Sequence, residues 1–178
     1  MTHVFVSGEA ALDFAGTLKW RRDAPEELLV VAADLDDWAL QSGIVSAPIT
    51  SSTADLLEAR ELREAIYAAI TARLSATAPP EEAVATVNRF AATPSVRPVL
   101  RAEGVEHLGS PREVLSALAR NAVEVVADPA LVVKECGRDR CTRVFVDRSR
   151  GSRRAWCGME ECGNRVKAAA YRRRHSTV

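Results

Sequence analysis

The segment "CGRDRCTRVFVDRSRGSRRAWCGMEEC", residues 136–162, contains every cysteine of this 178-residue chain. The cysteines form two pairs with four residues inside each pair, and fifteen residues separate the pairs. Two close pairs joined by such a spacer are typical of a tetrahedral four-thiolate zinc site, because each pair approaches the metal from one side. We therefore predict one zinc ion per chain, bound by Cys136, Cys141, Cys157 and Cys162.

Two disulfides, an iron–sulfur cluster or unliganded buried thiols are the alternatives for four cysteines. The opening residues "MTHVFVSGEAALDF" contain no basic stretch before an apolar core, so they do not resemble a signal peptide. The chain also lacks an apolar run long enough for a membrane span. We expect a cytoplasmic protein, in which structural disulfides are rare. Since four thiolates fill the coordination sphere, the predicted zinc is structural.

The formal net charge of zero conceals two parts of opposite charge. Residues 134–178 contain 13 Lys and Arg against 5 Asp and Glu, whereas residues 1–133 contain 11 against 19. A basic segment joined to an acidic body indicates a polyanionic partner. The alternative is that the two parts simply attract each other.

The chain before the cysteines has the pattern of a helical domain. Its apolar spacing predicts helices at residues 9–18, 34–43, 52–76, 77–92 and 110–128, and alternation around Gly104 predicts a β-hairpin at 95–108. Serine caps begin two of these helices, with Ser110, Pro111 and Glu113 forming a capping box. We predict a mainly α fold with a small β-hairpin (α+β), a helical domain at 1–130 that folds without the rest, and a zinc finger at 131–178.

The finger is predicted to be treble-clef-like. "LVVKECGRDRC" is expected to form a strand and a knuckle, "TRVFVD" a strand with which "RRAWC" pairs, and "GMEECGNRVKAAAYRRRH" the final helix. Its few large apolar residues, among them Phe145, Trp156 and Tyr171, are expected to be core. So small a core requires its metal in order to fold.

At these residues the sequence resembles a known family. "FVDRSRGSRRAWCGMEECGNRVKAAAYRRR" resembles the CGNR zinc finger, named after the run seen here at 162–165. "ALDFAGTLKW" and "DLDDWALQSGIV" are similar to motifs of the ABATE domain that usually precedes it, which is described as a stress-induced transcription regulator. The resemblance implies zinc binding and a role in transcription. The chain departs from the family pattern at Gly16, Ala155 and Gly158, but every predicted metal ligand is present.

Arginine dominates the basic segment and suits bidentate contacts to phosphate or guanine. We predict that the finger binds duplex DNA through nine cationic residues: Arg148, Arg150, Arg153, Arg154, Arg165, Lys167, Arg172, Arg173 and Arg174. The alternatives are RNA or ribosome binding, and a structural finger that docks a protein partner. Recognition of single-stranded RNA generally uses exposed aromatic side chains, and those of the finger are expected to be core, which favours duplex DNA.

We expect no enzymatic activity from the helical domain. Its histidines are scattered, and neither a glycine-rich phosphate loop nor a nucleophile elbow is present. A helical domain beside a DNA-binding finger instead suggests one that senses a small-molecule effector, forms a homodimer or recruits another protein. Four aromatic residues of this domain either line a pocket or are ordinary core residues: Phe14, Trp20, Trp38 and Tyr67.

Overall fold

The structure is a computed structural model that describes residues 3–175, without the side chains of residue 170 and residues 173–175. The body, which we define as residues 3–130, contains α1 (Ala10–Ala15), β1 (Leu18–Lys19), β2 (Glu26–Glu27), α2 (Ala32–Gln41), α3 (Thr53–Leu74), α4 (Glu81–Ala91), β3 (Arg97–Arg101), β4 (Gly104–Leu108) and α5 (Pro111–Ala127). The finger, residues 131–175, contains β5 (Val133–Glu135), β6 (Val144–Val146), a π-helical turn (Met159–Gly163) and α6 (Asn164–His175). This arrangement confirms the predicted α+β class. Within residues 3–175, no helix combines the length and the hydropathy that crossing a bilayer requires.

The two longest helices begin at the serine caps that the sequence indicated. At α3 the Ser52 backbone N–H donates to the Asp55 carboxylate at 2.8 Å, and the Asp55 N–H donates to the Ser52 hydroxyl at 3.2 Å. At α5 the same reciprocal pair joins Ser110 and Glu113 at 2.7 and 3.4 Å. Each box satisfies backbone donors that have no partner inside the helix, and it therefore defines where the helix starts.

The core of the body forms where α1 packs against α3 and α5. Phe14 on α1 and Trp38 on α2 are both fully buried, and their rings meet edge to face with centroids 5.0 Å apart. Tyr67 is half-buried beneath the guanidinium of Arg21, which lies 3.9 Å from the ring centroid. These side chains pack against neighbours, so the structure favours the core alternative for them over a shared pocket.

The finger's hairpin differs from the predicted one. β6 pairs antiparallel with β5, with Val133 opposite Val146 and Glu135 opposite Val144. "RRAWC" forms no strand, so its predicted pairing with β6 is wrong. The backbone N–H of Arg154 donates to the Asp147 carboxylate at 3.0 Å. The Asp147 side chain therefore occupies a backbone donor that pairing with a strand would have required.

One strand of the finger contributes to the hydrophobic core of the body. Val144 and Val146 of β6 are buried in the same cluster as Leu12 of α1 and Leu118 of α5. The Val146 N–H donates to the Ser7 carbonyl at 2.8 Å, which adds a backbone link between the two parts. A second cluster, formed by Phe145 and the four cysteines, belongs to the finger. That the body at 1–130 folds without the finger stays a prediction, and the shared contacts suggest that it loses stability when the finger is removed.

A chain ending at residue 130 is expected to be less stable than the full protein by about 3–6 kcal/mol. The truncation exposes the surface against which two buried valines pack, each contributing about 1.5–3 kcal/mol. Urea unfolding followed by helical circular dichroism would measure the difference, with the full chain as reference. An equal free energy of unfolding for the two chains would show that the shared contacts contribute nothing.

Candidate metal centre and basic surface

The four cysteines converge from two places in the finger. Cys136 and Cys141 flank the knuckle loop after β5, and Cys157 and Cys162 lie before and within the π-helical turn. Their sulfur atoms all lie within 4.8 Å of one another, and all four side chains are buried. The Sγ atoms of Cys141 and Cys157 are 3.9 Å apart. A tetrahedron with Zn–S bonds of about 2.3 Å has sulfur–sulfur edges of about 3.8 Å, so the cluster has the size of a zinc site.

The chemistry of this cluster also requires a cation. All four cysteines are free thiols, which removes the disulfide alternative for this conformation. Hydrogen bonds from the thiols of Cys141 and Cys157 lower the pKa of Cys136, and the hydrogen bond to Cys136 raises the pKa of Cys141. Thiolates this close repel each other, so they cannot all ionise unaided. Zinc resolves this conflict because coordination deprotonates each thiol, and the finger binds one structural zinc ion.

Close backbone contacts hold the two cysteine pairs next to each other. The Gly137 N–H donates to the Ala155 carbonyl at 2.9 Å, which joins the knuckle to the segment before Cys157. A Cβ atom at Gly137 would lie 3.1 Å from that carbonyl oxygen and 3.2 Å from the Trp156 ring. The Cys157 N–H also points at the Cys136 sulfur, 3.4 Å away. A Cβ atom here would require the carbonyl or the ring to shift by a few tenths of an ångström, so glycine suits this close approach.

Two arginines supply positive charge near the thiolates. One zinc ion and four thiolates together carry a charge of −2. Arg138 places its Nη1 atom 3.8 Å from the Cys162 sulfur and stacks over the Trp20 ring, with a centroid distance of 5.0 Å. Arg143 is buried beside the same site, and no group in the described part of the chain accepts from its Nη1. The Arg138 guanidinium offsets the charge of a zinc–thiolate centre, whereas the Arg143 guanidinium acts on the Asp13 carboxylate of α1.

Asp147 organises the loop that follows β6. Its carboxylate accepts from the Ser149 hydroxyl at 2.6 Å and from Lys134 Nζ at 2.7 Å, in addition to the Arg154 N–H. Burial of this side chain raises its pKa, but the hydrogen bonds from Lys134 and Ser149 outweigh burial and hold the pKa of Asp147 below its usual range. The carboxylate therefore stays ionised at neutral pH and fixes the basic loop, residues 148–153, to the hairpin.

The structure uses two of the nine predicted DNA-binding cations to attach the finger to the body. Arg148 donates to the Gly8 carbonyl at 2.7 Å and pairs with the Glu9 carboxylate. Arg154 donates to the Val6 carbonyl at 2.6 Å and to the carbonyls of Trp156 and Cys157. Its guanidinium also lies 4.4 Å from the Phe145 ring centroid. These donors have protein partners, yet the Arg148 side chain is still 56% exposed, and DNA contact by the two residues stays a prediction.

Five of the other predicted cations are exposed on one module. Two lie on the basic loop and three on α6, namely Arg150, Arg153, Arg165, Lys167 and Arg172. The side chains of Arg173 and Arg174 lie outside the described ones. The Asp147 hydrogen bonds and the zinc ligands fix the loop and the helix within the same small unit. DNA contact by these residues stays a prediction.

Sequence reasoning missed two further arginines beside this surface, Arg138 and Arg140. Both lie between Cys136 and Cys141. Their position in a four-residue loop with a zinc ligand at each end could have predicted that they lie near the metal site. Tyr171 also differs from expectation, because it is exposed on α6 instead of buried. A side chain on a terminal helix is buried only where another element covers that face.

Comparison with known families identifies the class of protein. A family model of the CGNR zinc finger matches residues 133–175, the segment that supplies the four-cysteine site. A second model, ABATE, described as "Putative stress-induced transcription regulator", matches residues 8–129. Because this second match covers more than half of the chain, the protein belongs to the ABATE family and ends in a CGNR zinc finger. A search of curated proteins found no match to the chain.

Proposed function

We propose that this protein is a non-enzymatic transcription regulator that binds duplex DNA through its finger. The observation that carries the proposal is the group of exposed cations on the basic loop and α6. The loop is fixed by Asp147 and the start of the helix by Cys162. Because one zinc-stabilised unit holds both elements, the positions of their charges are set before binding, and both are proposed to contact the same duplex.

The net charge of the finger supports a polyanionic partner. Residues 134–178 carry a formal net charge of +8 from the sequence. The zinc–thiolate centre lowers this to about +6, which is still strongly basic. Arg148 and Arg154 donate to carbonyls of the body, so we assign the DNA contacts to the other exposed cations of the basic loop and α6. Arginine-rich surfaces of this kind neutralise phosphates and release counterions on binding.

Replacing Arg150 and Arg153 together by alanine should test this surface. The two side chains are exposed, so their loss is expected to leave zinc content and stability nearly unchanged. If each contacts one phosphate, affinity for duplex DNA at 100 mM salt should fall by roughly 60-fold and the salt slope by about two. Fluorescence anisotropy over a salt series, on DNA enriched by in vitro selection, measures both quantities.

The control for this test is the pair Arg97→Ala and Arg101→Ala on β3. These two residues are exposed on the hairpin of the body, and their loss removes the same formal charge. We expect the control to retain nearly the affinity of the wild type. Equal losses in both double variants would show a general charge effect and no defined surface. Tighter binding of double-stranded RNA than of duplex DNA would contradict the assignment of the partner.

The body contacts the basic loop directly, which supports a role for it in regulation. Gly8 and Glu9, at the start of α1, hold Arg148, so a shift of α1 would move the loop. An apolar groove of about 180 Å³ runs between α4 and α5, with Val84 and Val123 at its surface. We propose this groove as the site for a small apolar effector. A thermal-shift screen of metabolites, repeated with Val123→Asp, tests it.

A further inference from the structure

A basic cleft lies between the knuckle loop and α6, away from the basic loop. It encloses about 760 Å³ and opens to solvent. One wall is the knuckle, with Arg138 and Arg140, and the other is the face of α6 that carries Arg165 and Arg172. Asp139 is the one carboxylate among the residues that line it, so the lining has a formal net charge of +3. We call it the knuckle–helix cleft.

Of the two arginines on the knuckle wall, Arg140 makes only a weak contact with the rest of the protein. Arg140 makes an ion pair with Asp23 at 3.2 Å, but both side chains are exposed, at 73% and 48% of their surface. Exposed pairs of this kind add at most about 1 kcal/mol. Arg138, in contrast, packs on Trp20 and approaches the Cys162 sulfur. Arg140 therefore faces the cleft without a strong structural role.

The helix wall has a spacing that suits a nucleic-acid strand. Arg165 and Arg172 are seven residues apart, which is two turns or about 10 Å along α6. Phosphates of one DNA strand follow each other every 3.4 Å along the duplex axis, so this face spans about three of them. The residues between include Ala168 and Ala169, whose short side chains allow a backbone to approach the helix closely.

We propose that the knuckle–helix cleft binds a phosphodiester group of the DNA backbone between Arg140 and Arg165. This inference rests on the proposed function and names a contact point within it. Guanidinium groups match phosphate oxygens in a fork geometry, and here they approach from opposite walls. The zinc ligands hold both walls, since Cys136 and Cys141 flank the knuckle and Cys162 precedes α6. The cleft contacts backbone only, so it contributes affinity and orientation without reading sequence.

A double-mutant cycle with Arg140→Ala and Arg165→Ala tests the proposal. The probe is a 20-base-pair duplex of random sequence, titrated by anisotropy between 50 and 200 mM salt. Each single variant should weaken binding by several-fold at 100 mM salt and flatten the salt slope by up to about one unit. Because both side chains contact one phosphate, the effects should be non-additive, with a coupling of at least threefold. Arg140→Lys should keep most of the slope but lose affinity, since lysine lacks the fork.

Two controls and two contrary results separate the outcomes. Zinc content should stay at one per chain in all variants, because neither arginine is a metal ligand. Arg97→Ala together with Arg101→Ala should bind like the wild type. Additive effects, or single variants equal to the wild type, would overturn the cleft contact while leaving DNA binding by the finger in place. A wild type that binds no duplex even at 50 mM salt would overturn the proposed function and this inference together.

Discussion

Cys157→Ser is expected to abolish stoichiometric zinc binding and to unfold the finger. The mutation removes one of four thiolates from a site whose sulfur atoms already lie within 4.8 Å of one another. Apparent zinc-binding free energies of about 10–16 kcal/mol in zinc-finger peptides show how much folding depends on such a site. Zinc content should fall from one per chain to well below one, as measured by metal analysis of protein purified under reducing conditions.

Because one strand of the finger contributes to the core of the body, the effect of this variant should extend beyond the metal. Val144 and Val146 pack among residues of α1 and α5, so loss of the finger should also lower the midpoint of urea unfolding of the helices. DNA binding should be lost as well. Glu160→Gln is the matched control, an exposed neighbour of the site that is not a ligand. Wild-type protein with a zinc content near zero, or a Cys157→Ser protein that keeps a full zinc ion, would refute the assignment.

The second large effect is the dependence of DNA affinity on salt. Five exposed cations on the basic loop and α6 would neutralise about five phosphates, which predicts a slope of log affinity against log salt near −4.5. A fourfold rise in salt, from 50 to 200 mM, should therefore weaken binding by about 500-fold. Titrations of one duplex across this range measure the slope directly.

This salt series also defines how the proposal fails. Non-specific binding by DNA-binding proteins typically has dissociation constants of about 10⁻⁴–10⁻⁶ M at physiological salt. If neither duplex DNA nor RNA binds more tightly than about 100 µM at low salt, the exposed cations must serve protein contacts instead. A tight but salt-independent complex would likewise contradict a phosphate-binding surface.

The sequence alone determined the features that depend on neighbouring residues. The cysteine spacing predicted the zinc ligands, because two paired thiols in a short loop already place their sulfur atoms close together. Serine caps, at Ser51 or Ser52 and at Ser110, predicted the starts of α3 and α5, because the hydrogen bonds of a cap close within three residues. For the same reason the β3–β4 hairpin was predicted from its alternation and its turn.

The tertiary structure decided which cations face outward. Arg153 and Arg154 are neighbours in the sequence, yet Arg154 donates to the Val6 carbonyl, 148 residues away, while Arg153 is exposed. Long guanidinium side chains take whichever carbonyl or carboxylate the fold brings within reach. The strand partner of β6 and the position of Arg140 opposite Arg165 were decided in the same way. Such contacts depend on how elements that are distant in the sequence pack together, and no local pattern of residues predicts that packing.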